Sequence, residues 1–140
     1  MNVSLDNIRD NVKVAEDYIN NKRLELDLID AIIREAQSCI ARMNNTLKGG
    51  SYKNKEQMIG IRDNVERIYL NRLKESRKLI VKQMTAAEEL RSVSYKALSD
   101  YEFAKVAGRQ GSIEEFDMED KIREMQRASY TFQELAALRS

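Results

Sequence analysis

The chain has 140 residues, enough for one ordinary domain and too few for two. It holds no proline, tryptophan or histidine, only five glycines and one cysteine, and 34% of its residues are charged although the net charge is just +1. Such a composition describes long helices with a narrow apolar seam, and the missing histidine excludes His-based general base catalysis, catalytic triads, Glu-x-x-His di-iron bundles and nearly all zinc sites.

The first predicted helix follows from Leu5 to Leu47, where apolar side chains recur at alternating steps of three and four. Leu5, Val12, Ile19, Leu26, Ile33, Ile40 and Leu47 form one row of the seam; Ile8, Ala15, Ile29, Ala36 and Met43 form the other. Almost seven heptads in register imply a long supercoiled helix whose seam another helix must cover. Only Lys22 interrupts the pattern. It either snorkels out of the seam, the favoured reading, or meets an acid on a facing helix. Ser4, or Asn2 in its place, is the expected N-cap, with Asp6 suiting the helix dipole in the first turn. Gly49-Gly50 stops the helix, one glycine taking a left-handed C-cap conformation.

A second helix should start at a cap on Ser51 or Asn54, the latter in a capping box with Gln57, and no strong breaker follows before Gly108. Gly60 costs it about 1 kcal/mol against alanine. Met58, Ile61, Val65 and Ile68 start in heptad register; Tyr69, Leu73, Ile80, Met84 and Ala87 follow with extra four-residue steps, and Leu90, Ala97, Tyr101 and Ala104 carry the stripe on. That drift toward 3.6 or more residues per turn relaxes left-handed winding, so the middle of the helix should be straighter.

Gly108-Arg109-Gln110-Gly111 is the second break, followed by Ser112-Ile113-Glu114-Glu115, a capping box with serine at N-cap and glutamate three residues on. The third helix places Met118, Ile122, Met125, Phe132 and Ala136 on one stripe, with Ala128 and Leu135 beside it.

Short connections make sequential helices antiparallel neighbours. The expected fold is all-α: a long antiparallel helical hairpin, a coiled coil, with a shorter third helix folding back on the second. One elongated domain, 1–140, would contain helices at about 4–48, 52–107 and 112–138. Three helices coexist only where the second overhangs the first, and Tyr95, Tyr101, Phe103, Phe116, Tyr130 and Phe132 concentrate the aromatic area there. Val14, Tyr18, Leu28 and Ile32 offer a second flank on the first helix. Charge supports the same pairing: residues 1–47 hold six basic and eight acidic side chains, 48–110 fourteen and eight, and 111–140 four and seven. A basic helix between two acidic ones selects partner and orientation.

Chemistry is sparse. Neither Gly49-Gly50 nor Gly108-Arg109-Gln110-Gly111 continues into the Gly-Lys-Ser/Thr of a phosphate-binding loop, so both read as helix punctuation. Glu114, Glu115, Asp117, Glu119 and Asp120 lack the turn and central glycine of a calcium loop and instead complement a helix dipole. Cys39 excludes an internal disulfide, fits a reducing compartment and reads as a small helical hydrophobe. No enzymatic activity, cofactor or metal is expected.

The N-terminus has neither a basic cluster nor a continuous apolar run, and no segment reaches membrane-spanning length. A cytoplasmic protein with no signal peptide and no membrane insertion is the expectation.

The notable charged feature is Arg62, Arg67, Arg72, Lys74, Arg77, Lys78 and Lys82 against Asp63, Glu66 and Glu75. Arg67, Lys74, Arg77, Lys78 and Lys82 are candidates for docking a partner, against the plainer reading of a solvated face that pairs with the first helix. Ile32 and Cys39 mark a second candidate face on the first helix. Long seams without a catalytic kit point to an interaction, scaffold or adaptor protein that binds another helical protein, with a homo-oligomer as a further possibility. The alternative is a regulatory binder of nucleic acid or another anionic partner through the basic stripe; near-neutral charge and the lack of a recognised motif disfavour nucleic acid.

The layout of two long antiparallel helices in a small chain resembles the stalk proteins of flagellar and type III export ATPases, which implies an accessory role in a protein export or assembly machine. The capped third helix departs from that layout. The helical hairpins exported by ESX-type secretion systems carry a Trp-x-Gly turn, which a chain without tryptophan lacks.

Overall fold

The computed structural model describes residues 5–49, 54–107 and 113–139, and of 104–107 and 113–118 the backbone alone. The chain runs through α1 (Leu5–Lys48), α2 (Lys55–Asn64), a π-helical turn (Val65–Tyr69), α3 (Leu70–Ala107) and α4 (Ile113–Ala136). The fold is all-α: α1 packs against the joined α2–α3 run as a helical hairpin, and α4 packs on α3. Ser4, Gly50, Ser51, Gly108, Gly111 and Ser112, to which the sequence assigns caps and turns, lie outside the described residues.

One helix start differs from expectation. Asn54 occupies the N-cap of α2, but its side chain makes no capping hydrogen bond, so the expected capping box with Gln57 does not form. The carbonyl of Asn54 accepts the Met58 N–H at 2.9 Å instead. At the end of α1 the Gly49 N–H donates to the Thr46 carbonyl at 3.2 Å, and the Thr46 hydroxyl donates to the Arg42 carbonyl at 2.9 Å. These short-range bonds satisfy late carbonyls, and Gly49 stays outside the positive-φ region.

Contacts divide the chain into two compact units, one formed by Met1–Arg23 with Lys82–Arg139 and the other by Leu24–Val81. In the first, Ile8, Ala15 and Ile19 of α1 meet Ala87, Leu90, Val93 and Ala97 of α3 and Met125 and Phe132 of α4. Ala15, Ala87 and Ala97 are fully buried. Their small side chains let three backbones approach closely, which larger residues on those rows would prevent. Phe132 meets Tyr18 edge to face, with centroids 4.8 Å apart and rings at 88°. Lys22 lies with its Nζ 5.2 Å from the Tyr18 ring centroid, one turn back on the same helix.

The aromatic residues expected at the three-helix end belong to this unit, but not all of them enter its core. Tyr95, Phe103 and Tyr130 are exposed; Phe132 is buried and Tyr18 packs beside it. The cause is phase. The inward row on α3 runs through Ala87, Leu90, Ser94 and Ala97, and the row on α4 through Ile122, Met125 and Phe132, so Tyr95, Phe103 and Tyr130 fall off them. Val14, assigned to a flank that a third helix could reach, is exposed as well. Phe116 and Met118 have no described side chains. On the rim, Tyr95 donates to Glu16 at 2.5 Å, Arg9 pairs with Glu102 at 3.3 Å, and Lys121 pairs with Asp100.

The second unit has its own core, in which Ile29, Ile33 and Ala36 of α1 meet Leu70 and Ile80 of α3, with Leu26, Ile40, Val65 and Leu73 packed against them. Two polar ties set its register. Asp30 accepts from Arg77 Nε at 2.6 Å, and Asn44 accepts from Arg62 at 3.0 Å. Hydrogen bonding to Asp30, then its charge, raises the Arg77 pKa above the ordinary value for arginine.

Candidate functional site

The π turn is the least regular element of the second unit, and it starts from backbone geometry. The Leu70 N–H donates to the carbonyl of Val65, five residues back rather than four. One extra residue is thereby accommodated in the joined helix. Asp30 to Asn44 spans fourteen steps on α1, whereas the partners Arg77 and Arg62 are fifteen steps apart on the facing run. The inward row correspondingly moves from Val65 to Leu70 in a single five-residue step before resuming at Leu73 and Ile80.

That step decides which side chains face out. A regular advance of three or four from Val65 would put Ile68 or Tyr69 into the seam, as the heptad reading of the sequence expects. Instead Leu70 is buried, while Ile68 is 50% exposed and Tyr69 49% exposed. Ile61, also assigned to the seam, is 48% exposed. A shallow surface groove follows, lined by Arg67, Ile68, Asn71, Arg72, Glu75 and Ser76. Asn71 donates from its side-chain amide to the Arg67 carbonyl at 2.6 Å, tying the floor to the π turn.

The residues singled out by charge are distributed unevenly. Arg67 lines the groove, and Lys74 is exposed close by in sequence. Arg77 is held by Asp30, and Lys78 lies 3.1 Å from Glu75. Lys82 is an exposed residue of the first unit. Ile32 and Cys39 are half-buried in α1. The seam residues Val12, Ile19 and Ile33 are buried, and Leu5, Leu26, Ile40 and Leu47 are partly buried. The groove itself was missed by pattern reading; the signal that could have found it is the choice of Ile68, Tyr69 or Leu70 as the next apolar residue after Val65.

On α1 of this unit Leu24 and Leu28 are exposed as well, at 69% and 63%. In the first unit another shallow groove is lined largely by amides, Asn7, Asn11, Gln126 and Gln133, with Tyr130 at its edge. Among the described residues no cluster of three or more His, Cys, Asp or Glu side chains could hold a metal ion. None of the described helices is long and apolar enough to cross a membrane. No protein-family model, curated protein or solved structure matches the chain.

Proposed function

We propose that this chain is a non-enzymatic coiled-coil scaffold or adaptor that binds another helical protein. The observation that carries the reading is the set of large apolar side chains left outside the core of the second unit: Leu24 and Leu28 on α1, and Ile61, Ile68 and Tyr69 on α2 and the π turn, all about half exposed or more. Isolated exposed apolar residues are ordinary, but groups of them beside charged rims mark sites of protein association. Helix-in-groove packing is the form of association that long helical faces suit best. An export or assembly machine is the setting suggested by the resemblance of the hairpin layout to export ATPase stalk proteins.

The competing reading is an anionic ligand held along the whole basic stripe. It is weakened because Arg77 and Lys78 already have acidic neighbours, Asp30 and Glu75, within the chain. Photo-cross-linking side chains placed at Leu28 and Ile68 in the full chain test the adaptor reading in the cells that make it. A discrete protein partner whose cross-linked peptide is helical supports it; cross-links to nucleic acid alone, or to no macromolecule from either position, reject it.

A further inference from the structure

We propose that the outer face of the π turn, where Ile68 lies between Arg67 and Arg72 with Tyr69 exposed next to it in sequence, is a docking surface whose occupant is an acidic amphipathic helix of a partner protein. This inference rests on the adaptor reading and names the face and the chemistry of the ligand. It stands first on the five-residue step, which sends Ile68 and Tyr69 outward by backbone geometry rather than by an accident of side-chain rotamer. π turns of this kind are placed frequently at functional sites.

Charge supplies the second argument. Among the described residues Arg67, Arg72 and Lys74 have no acidic partner and are exposed, while the neighbouring acids Asp63 and Glu75 are engaged by Arg62 and Lys78. Glu66 is the one nearby acid left over, so the stretch presents more free positive than negative charge. Unpaired cations flanking an apolar strip complement a helix with leucines on one face and carboxylates beside them. The third argument is shape. A groove that exposes Ile68 between Arg67 and Arg72 can take an apolar side chain at its centre and carboxylates on both sides.

An exposed isoleucine at the centre of the groove has no counterpart in a phosphate backbone, which disfavours nucleic acid, and two apolar side chains bury too little area to hold a membrane surface.

A synthetic helical peptide with leucines at i, i+4 and i+7 and glutamates beside them, and a twin with lysines in place of the glutamates, are the probes, read by fluorescence anisotropy against the full chain. The acidic peptide should bind, more weakly as salt rises, and the basic twin should not. Ile68→Ser, or Arg67→Glu with Arg72→Glu, should weaken the acidic peptide by about tenfold or more, and the double charge reversal should gain affinity for the basic twin. All three positions are exposed, so circular dichroism should show the wild-type fold in each variant. Equal binding of the two peptides, no binding of the acidic one, or binding untouched by these variants overturns the inference. So does association with phosphatidylserine vesicles, or with a second copy of the chain, that these variants abolish while the acidic peptide fails to bind. Acidic-peptide binding lost only with Leu24→Ser and Leu28→Ser removes this face but leaves the adaptor reading standing, whereas the cross-linking result alone decides that reading.

Discussion

Gln83 of α3 donates through its side-chain amide to the Leu135 carbonyl at 2.8 Å and to the Leu138 carbonyl at 3.0 Å, so one buried side chain caps the end of α4. The last carbonyls of a helix have no partner within it, and here a neighbouring helix provides the donor. Gln83 is only 3% exposed, which leaves water little access to replace it. Gln83→Ala should therefore cost about 1–3 kcal/mol in denaturant unfolding. Gln83→Glu should cost more at neutral pH, because a carboxylate would face carbonyl oxygens. Its folded-state pKa is raised by that repulsion, so the variant should recover stability as pH falls toward the ordinary glutamate range, where the protonated acid donates again. Equal stability of wild type and Gln83→Ala would remove the cap from the account of α4.

Ser94 is fully buried on the inward row of α3, and its hydroxyl has no hydrogen-bond partner among the described residues. An unsatisfied buried hydroxyl destabilises, and alanine has the higher helix propensity at similar size. Ser94→Ala should be neutral to stabilising by up to about 1 kcal/mol, seen as a raised thermal midpoint. A clear loss of stability would mean that the hydroxyl has an acceptor, most simply the carbonyl of Leu90 one turn back.

These two residues also mark where pattern reading stops. The α1 seam was legible because one residue class repeats at alternating three and four steps with a single interruption, and nearly every position on it is buried or partly buried. Gln83 and Ser94 occupy the corresponding inward row of α3 but are polar, so hydropathy hides both. The site was less legible than the fold. From Val65 the sequence offers Ile68 at three, Tyr69 at four and Leu70 at five, and only tertiary packing selects the last. Local pattern likewise put Asn54 in a capping box that its backbone, at φ −119° and ψ 29°, does not complete.

The Tyr95 hydroxyl donates to Glu16 at 2.5 Å. That hydrogen bond, then burial and the carboxylate charge, raises the phenol above its ordinary 10.0, with Arg91 opposing. The neutral phenol is the form that the fold favours. Its contribution to stability is present below the unfolded-state pKa and is lost as pH rises through the higher folded-state value. An ultraviolet difference titration should show one tyrosine ionising late, and Tyr95→Phe should abolish that phase and flatten the alkaline decline in stability. An unchanged alkaline limb in Tyr95→Phe would assign the decline to other groups.

Ile33 tests the second unit by itself. It is buried with Ile29, Ala36, Leu70 and Ile80, so Ile33→Asp removes apolar contact and places a carboxylate among apolar side chains. The expected loss is about 3–5 kcal/mol. Ile32→Asp, one residue earlier at a half-buried position, should cost far less. Thermal melting of the two variants checks this, and indistinguishable melting would reject the assignment of Ile33 to the seam.

The π turn itself makes the sharpest prediction, because fifteen steps from Arg62 to Arg77 face fourteen from Asn44 to Asp30. Deleting exposed Glu66 should let the turn close into regular α-helix, with Val65 and Leu70 then four residues apart and both flanking polar ties in place. Stability should remain within about 1 kcal/mol of wild type, since the change restores regular hydrogen bonding without emptying the core. A double-mutant cycle on Asp30 and Arg77 in the deletion background should return the wild-type coupling. Loss of that coupling would show that the deletion shifts α3 along α1 instead of straightening the turn. With the coupling kept, the deletion shows that the extra residue can be removed without moving the seam, in which Leu70 stays buried and Ile68, two residues before it, stays outside.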